Sequence, residues 1–175
     1  MNLKDYIRSI QDYPKKGILF RDITTLIKNN NAFTKTIDEM EKRSKKFKID
    51  KIASIESRGF IFASVLSYIL KKPLILLRKK NKLPAETYSI DFELEYGKAT
   101  MEVHKDSIGE NDNVLLIDDL IATGGTANAA AKLVEISKGK VSGFIFVINL
   151  FDLGGSDNLM QNGYKVENIL EFPGH

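Results

Sequence analysis

The chain has 175 residues, 43% of them hydrophobic and 28% charged, the size and composition of one soluble globular domain. Its 26 basic and 23 acidic side chains leave a formal net charge of +3, too small an excess to argue for nucleic acid as a partner. The absence of cysteine excludes disulfides, thiolate metal sites and a thiol nucleophile, His104 and His175 are too far apart for a recognisable zinc motif, and no apolar run approaches membrane-spanning length.

Leu3, Tyr6, Ile7 and Ile10 recur at helical spacing behind Asn2, an N-cap residue type, and Pro14 bars continuation beyond Tyr13. The spacing predicts a short amphipathic N-terminal helix. Its mixed charges make residues 1–14 neither a signal peptide nor an anchor, so the cytoplasm is the expected compartment. Residues 17–20 then lead into Arg21 and Asp22, whose charges interrupt the apolar pattern and leave Phe20 partly exposed. Phe33, Ile37, Met40, Ser44 and Phe47 keep one face, which predicts a helix over 32–47 and puts the basic run KRSKKFK (42–48) on its solvated side.

Ile52, Ala53, Ser54 and Ile55 read as a buried strand, followed by the polar loop Glu56, Ser57, Arg58, Gly59 and an apolar helix over 60–70. A helix start after such a loop presents unpaired N–H groups, so a second anion site is expected there, with the planar fork of Arg58 suited to a diphosphate. The same spacing also permits an ordinary surface Arg58 paired with Glu56. Residues 74–77 form a third strand that runs into the basic stretch Arg78, Lys79, Lys80 and Lys82. Tyr88, Ile90, Phe92 and Leu94 alternate with polar residues, Tyr96-Gly97 makes a turn, and Ala99, Met101 and Val103 alternate again. This pattern is an antiparallel flap grown from a parallel sheet.

The stretch VLLIDDLIATGGT (114–126) carries the most chemistry. Val114, Leu115, Leu116 and Ile117 suit a strand covered on both faces, Asp118 and Asp119 stand at its end, and the Gly124-Gly125 turn opens a helix over 127–136. Gly-Gly lets the backbone aim successive N–H groups at one point, where the helix start adds unpaired donors. Such a turn binds phosphate, and the hydroxyls of Thr123 and Thr126 add donors around it. No lysine follows in nucleotide-loop spacing and no GxGxxG is present. Carboxylates placed before the turn suit the vicinal hydroxyls of a ribose 5-phosphate. Asp-Asp alone would be a strand ending in solvated side chains; the whole string argues for a site.

Residues 141–150 form a long central strand, 152–162 are Gly-rich and loop-like with room for a short helical turn at Leu159 and Met160, and 166–172 read as an edge strand. The alternation of strands and helices predicts a single α/β domain over 1–175, with a mainly parallel central sheet flanked by helices and an antiparallel hood at about 79–105.

The string 114–126 resembles the phosphoribosyl-diphosphate (PRPP) signature of the type I phosphoribosyltransferases. GILFRDIT (17–24), IESRGF (55–60), RKKNKLP (78–84) and LEYGKATMEVHKDSI (94–108) narrow the likeness to the adenine phosphoribosyltransferases. The resemblance implies purine salvage: transfer of the 5-phosphoribosyl group from PRPP to N9 of adenine, giving AMP and pyrophosphate. It implies that Leu19, Phe20 and Arg21 form the base segment, with Leu120 on the other ring face, and that Asp118 and Asp119 hold the ribose hydroxyls. Ala122, Thr123, Gly124, Gly125 and Thr126 would hold the 5-phosphate, and Arg58, Arg78, Lys79 and Lys82 the diphosphate. Glu95 would be the acid/base of the hood, with Tyr96 in the turn over the base. Mg²⁺ would arrive with PRPP, with Asp118 or Asp119 available to it through water and any direct protein ligand left open, and the protein would be a homodimer. A 6-oxopurine phosphoribosyltransferase should lack the 17–24 segment and the Tyr-Gly hood, and a PRPP-sensing regulator should add a DNA-binding element, for which no helix-turn-helix signal precedes the motif.

Overall fold

A computed structural model describes residues 1–94 and 97–175. The N-terminus departs from the helix its spacing predicts. Asn2 does cap a turn, its side chain accepting from the Lys4 N–H, but the turn is a 3-10 segment confined to Leu3–Tyr6. The chain then extends as β1 (Arg8–Gln11) and pairs antiparallel with β2 (Leu19–Asp22), from Arg8 opposite Asp22 to Gln11 opposite Leu19. Cross-strand pairing overrides local periodicity, and the Arg8–Asp22 ion pair sits at the same register. Burial pushes the Asp22 carboxyl up, but the Thr24 N–H and hydroxyl and the Arg8 guanidinium outweigh it and hold the group below its usual range.

A five-residue helix, α1 (Thr24–Lys28), precedes α2 (Asn30–Ser44). The second begins earlier than 32 because Asn29 caps it, accepting from the Ala32 N–H at 3.0 Å, and it ends before Phe47. The basic run is therefore only partly helical and is not simply solvated. Arg43 pairs with Glu39 and Glu167, and Lys46 reaches Glu167 at 2.6 Å, tying the end of α2 to the last strand.

The rest alternates as expected: β3 (Lys51–Ile55), α3 (Gly59–Leu70), β4 (Leu74–Lys79), β5 (Thr87–Leu94), β6 (Gly97–His104), β7 (Asn113–Ile121), α4 (Gly125–Ile136), β8 (Lys140–Leu150), α5 (Gly155–Gln161) and β9 (Val166–Phe172). Among the described residues these strands make a seven-stranded sheet in the order β5-β6-β4-β3-β7-β8-β9. The five from β4 to β9 run parallel, and β6 and β5 continue the sheet antiparallel as the hood. The segment 152–162 is more ordered than its glycines suggested: a 3-10 turn over Phe151–Leu153 is followed by α5, which seats Leu159 fully buried.

Both faces of the sheet are covered. Val114 and Leu116 of β7 pack with Leu133 and Val134 of α4 on one side, and Leu115 and Ile117 pack with Phe62 and Leu66 of α3 on the other. Each such full burial stabilises by about 1.5–3 kcal/mol. The unbroken apolar run of β7 is the sequence trace of this double burial. It fixes the middle of the sheet rigidly, and the site grows from the carboxyl ends of β3 and β7.

Candidate active site

β7 does not stop at the acidic pair. It continues through Asp118, Asp119 and Leu120 to Ile121, so both carboxylates project from paired strand rather than from a loose end. Asp119 is only 5% exposed. Its Oδ2 lies 2.9 Å from Nε of Arg58, close enough for an ion pair, yet it has no hydrogen-bond partner among the described residues. A buried acceptor left in that state is an invitation to a ligand hydroxyl. Asp118 Oδ1 accepts from the Asp119 N–H at 2.9 Å. Burial, then the neighbouring Asp119 charge, push the Asp118 carboxyl well above its usual value; burial also raises Asp119, against the opposing charge of Arg58.

The loop between β3 and α3 closes the opposite wall. Gly59 leaves little room for a side chain: a Cβ there would stand 2.7 Å from both Asp118 Oδ1 and Ser54 Oγ and would displace one of them. The backbone of α3 thus starts against the acidic pair. Arg58 does not pair with Glu56, as its spacing allowed. Glu56 instead takes Arg78, at 3.2 Å, and accepts the Lys79 N–H at 2.9 Å. Burial would raise the Glu56 carboxyl, but these two partners outweigh it and hold it below its usual range. Arg78 also donates to the Lys82 carbonyl at 3.3 Å, so in this state its guanidinium braces the loop rather than facing a ligand.

Between these walls lies a cleft of about 450 Å³, lined by Arg58, Lys79, Asp118, Asp119, Ala122 and Thr126 among others. That volume is in the range of small-molecule sites. A second, mainly apolar cavity of about 140 Å³ adjoins it under the hood, between Phe92, Leu94 and Met101 and the β4 residues Leu77 and Lys79. Lys82 lies exposed on the loop after β4, outside the lining of the cleft.

At the end of β7 the chain turns through residues 122–124 and enters α4 at Gly125. Gly124 has φ +92°, a left-handed conformation that glycine adopts without strain, and it stands at the N-cap of α4. The turn after β7 therefore has a left-handed glycine and main-chain donors at the start of a twelve-residue helix.

Of the base segment, Phe20 meets the edge of the cleft through its contact with Arg58, whereas Leu19 lines a separate cavity of about 280 Å³ with Ala122 and Thr123. Phe20 is half-buried, with Tyr13 edge-on at 5.1 Å and the Arg58 guanidinium over its face at 5.3 Å. Leu120, on β7, is half-buried and lines the cleft. Arg21, however, turns its side chain away: it donates to Ser9 Oγ and to the Pro173 carbonyl at 2.8 Å and lies 4.8 Å from the Phe172 ring. With 7% exposure its side chain pins the C-terminal tail. Glu95 and Tyr96 lie outside the described residues. Glu56 and Gly59, which position the neighbours of the site, were not assigned a role from sequence; a Gly after the loop arginine at a helix start was the available signal.

Known proteins resemble the chain along nearly its whole length. The profile of the phosphoribosyl transferase domain matches residues 23–166. A protein of Pelagibacter ubique named adenine phosphoribosyltransferase is 74% identical over 175 residues, covering 100% of both chains. One of that name from Brachyspira hyodysenteriae is 51% identical over 98% of this chain and 100% of its own. The crystal structure of adenine phosphoribosyltransferase from Thermoanaerobacter pseudethanolicus superposes with a TM-score of 0.93 at 45% identity, covering 97% of this chain and 98% of that one. The Saccharomyces cerevisiae enzyme, crystallised with adenine and an imino-altritol bisphosphate, superposes with a TM-score of 0.88 at 36% identity over 96% of each chain.

Proposed function

Because this chain belongs to the phosphoribosyltransferase family, and within it to the adenine phosphoribosyltransferases, we infer that its cleft moves the 5-phosphoribosyl group of PRPP to N9 of adenine. The products are AMP and pyrophosphate, a purine-salvage reaction. The observation that carries the residue assignment is the buried, hydrogen-bond-deficient Asp119 carboxylate set between a glycine phosphate turn and Arg58.

As the bond from C1′ to the diphosphate oxygen breaks, the bond to N9 forms and the base sheds one proton. Positive charge grows on the sugar and negative charge on the leaving group, so the work is positioning and charge neutralisation rather than nucleophilic attack by the protein. Asp118 and Asp119 accept from the ribose hydroxyls, the main-chain donors of 122–126 hold the 5-phosphate, and Arg58 and Lys79 face the diphosphate. Phe20 and Leu120 hold the ring between them once Arg58 has left the Phe20 face. Glu95 is assigned by family likeness alone as the group that takes the base proton, and Tyr96, on the same ground, as a base-side residue. Lys82 and Arg78 reach the diphosphate only if the hood loop rearranges and Arg78 releases Glu56.

Mg²⁺ fits as an ion that comes with the substrate. Among the described residues no three His, Asp or Glu side chains converge on one point, and the buried Asp119 Oδ2 beside Arg58 has no hydrogen-bond partner. When bound, the ion would neutralise diphosphate charge, with Asp118 or Asp119 reached directly or through water. AMP formation from PRPP and adenine is expected with Mg²⁺ and is expected to be lost on chelation; undiminished turnover in chelator would contradict the cofactor.

The hood is read as a lid. It already leans on the phosphate turn, the Glu93 carbonyl oxygen lying 3.1 Å from where a Cβ on Gly125 would stand. Amide exchange over Thr87–Leu94 is expected to slow when PRPP and Mg²⁺ are added. Maximal protection in the empty protein would argue against a moving lid. The partner is read as a second copy of the chain, seated on an apolar face next to the diphosphate loop. Ile61, Tyr68 and Ile69 of α3 and Leu76 of β4 are exposed there, Tyr68 at 85%. Sedimentation of the parent should give a dimer and of Ile61→Glu/Tyr68→Glu a monomer; a monomeric parent would overturn this. Among the described residues no helix is long and apolar enough to cross a membrane. We place the protein in the cytoplasm, where its phosphorylated donor is retained.

A further inference from the structure

We propose that residues 154–162 form a rigid backing for the phosphate turn, with Gly155 the positioning residue that sets the turn's main-chain geometry. This rests on reading 122–126 as the site of the 5-phosphate. The Gly155 N–H donates to the Ala122 carbonyl at 3.0 Å. A Cβ at Gly155 would lie 2.4 Å from that oxygen, 2.7 Å from the Gly124 nitrogen and 2.8 Å from the Thr123 carbonyl carbon. The contact is reciprocal, since a Cβ on Gly124 would lie 3.1 Å from the Gly155 Cα. Two bare backbones therefore touch, one of them the reverse side of the turn whose front holds the phosphate.

Gly155 is the first residue of α5, where alanine would be the better helix former. Local propensity thus argues against glycine at this position, and the space taken by the turn is what requires it. A second set of bonds locks the same two segments. Asn128, in the first turn of α4, donates from Nδ2 to the Gly124 carbonyl at 2.9 Å and to Asn158 Oδ1 at 3.0 Å. Asn162 donates to Asn128 Oδ1 at 3.3 Å. Asn168 of β9 donates to Ser156 Oγ at 3.0 Å, anchoring α5 to the sheet. The chain of contact runs from sheet to α5 to turn. A turn held from behind presents its donors already aligned, so binding loses less free energy to ordering.

A misaligned turn weakens substrate and transition state alike, which raises KM and leaves kcat nearly unchanged. Gly155→Ala is therefore expected to raise the KM for PRPP and the Kd for AMP by about tenfold, the scale of one charge-assisted hydrogen bond. Binding of free pyrophosphate, which lacks the 5-phosphate, should not change. Equal AMP affinity in parent and variant, with only thermal stability lowered, would overturn the proposal. If Gly155→Ala fails to fold, Asn158→Leu removes the acceptor for Asn128 at similar volume, and Asn158→Asp keeps it. Weaker AMP binding in the first and parental binding in the second would support the backing; no change in the first would overturn it. A parent that binds no AMP would instead remove the phosphate turn itself, and the backing with it.

Discussion

Asp119→Asn is expected to lower kcat/KM for PRPP by about 10- to 100-fold while the protein stays folded. A hydrogen bond to a charged group contributes about 1.5–3 kcal/mol, and about 1.4 kcal/mol is a factor of ten. The asparagine keeps the outline of the carboxylate but gives up the charge that receives the ribose hydroxyl and draws Arg58. The fold should survive, because the Arg58 side chain left behind is 40% exposed and can be solvated. Stability should in fact move the other way. Burial, together with the mutual charge of the pair on Asp118, raises both carboxyls above their unfolded values. Groups shifted in this direction favour the folded state below the unfolded pKa, about 3.9, and lose that contribution as pH rises through the folded pKa. At neutral pH the ionised pair costs stability, so the variant should melt at or above the parent's temperature there, and the gap should narrow as pH falls toward about 4. Kinetics with PRPP and melting curves across pH check both halves. Unchanged kcat/KM would remove Asp119 from the ribose site.

Phe20→Leu is expected to weaken adenine binding by about 2- to 10-fold while the preference for adenine over hypoxanthine stays in place. Stacking contributes about 0.5–1.5 kcal/mol beyond burial, and part of that is offset because the empty protein also loses the Arg58 contact with the ring, about 0.5–1 kcal/mol. A ring face cannot tell the two bases apart. Adenine offers a donor at N6 and an acceptor at N1, and hypoxanthine offers the reverse, so fixed main-chain groups pair with one and are left unpaired by the other. The structure sharpens this argument, since the Arg21 guanidinium is held by Ser9 and Pro173 and is not at hand for a 6-oxo group. Sites that read a polar edge discriminate by ~10⁴ or more, whereas apolar fit gives ~10–200-fold. Measured kcat/KM for the two bases in parent and variant decides it; a collapse of the ratio in Phe20→Leu would shift recognition from main chain to ring.

The parts of the fold legible in sequence are those where one local pattern and the tertiary environment agree. The apolar run of β7 followed by Gly-Gly identified the central strand, the tight turn after it and α4, because double burial and a left-handed turn each demand particular residue types. The alternation from Tyr88 to Leu94 gave the hood for the same reason. Leu3 to Ile10 misled, since helical spacing there is opposed by pairing with Leu19–Asp22, a partner that no local window contains. Arg21 was placed in the base segment by its neighbours in sequence, while its side chain is directed by residues about 150 positions away. Arg58 and Glu56 are two apart, yet each takes a distant partner of the sheet, Asp119 and Arg78. The backing role of Gly155 was hidden because a second Gly pair at 154–155 looks like a loop until the turn it touches is in place.

An edge-reading cleft should join PRPP to adenine and to no 6-oxopurine. The direct measurement is competition in one vessel: the parent protein with PRPP, Mg²⁺ and equal adenine, hypoxanthine and guanine, with the nucleotides separated and counted. AMP is expected, with IMP and GMP lower by about four orders of magnitude, the discrimination of an edge-reading site. IMP or GMP in amounts comparable to AMP, or no nucleotide at all, would contradict it.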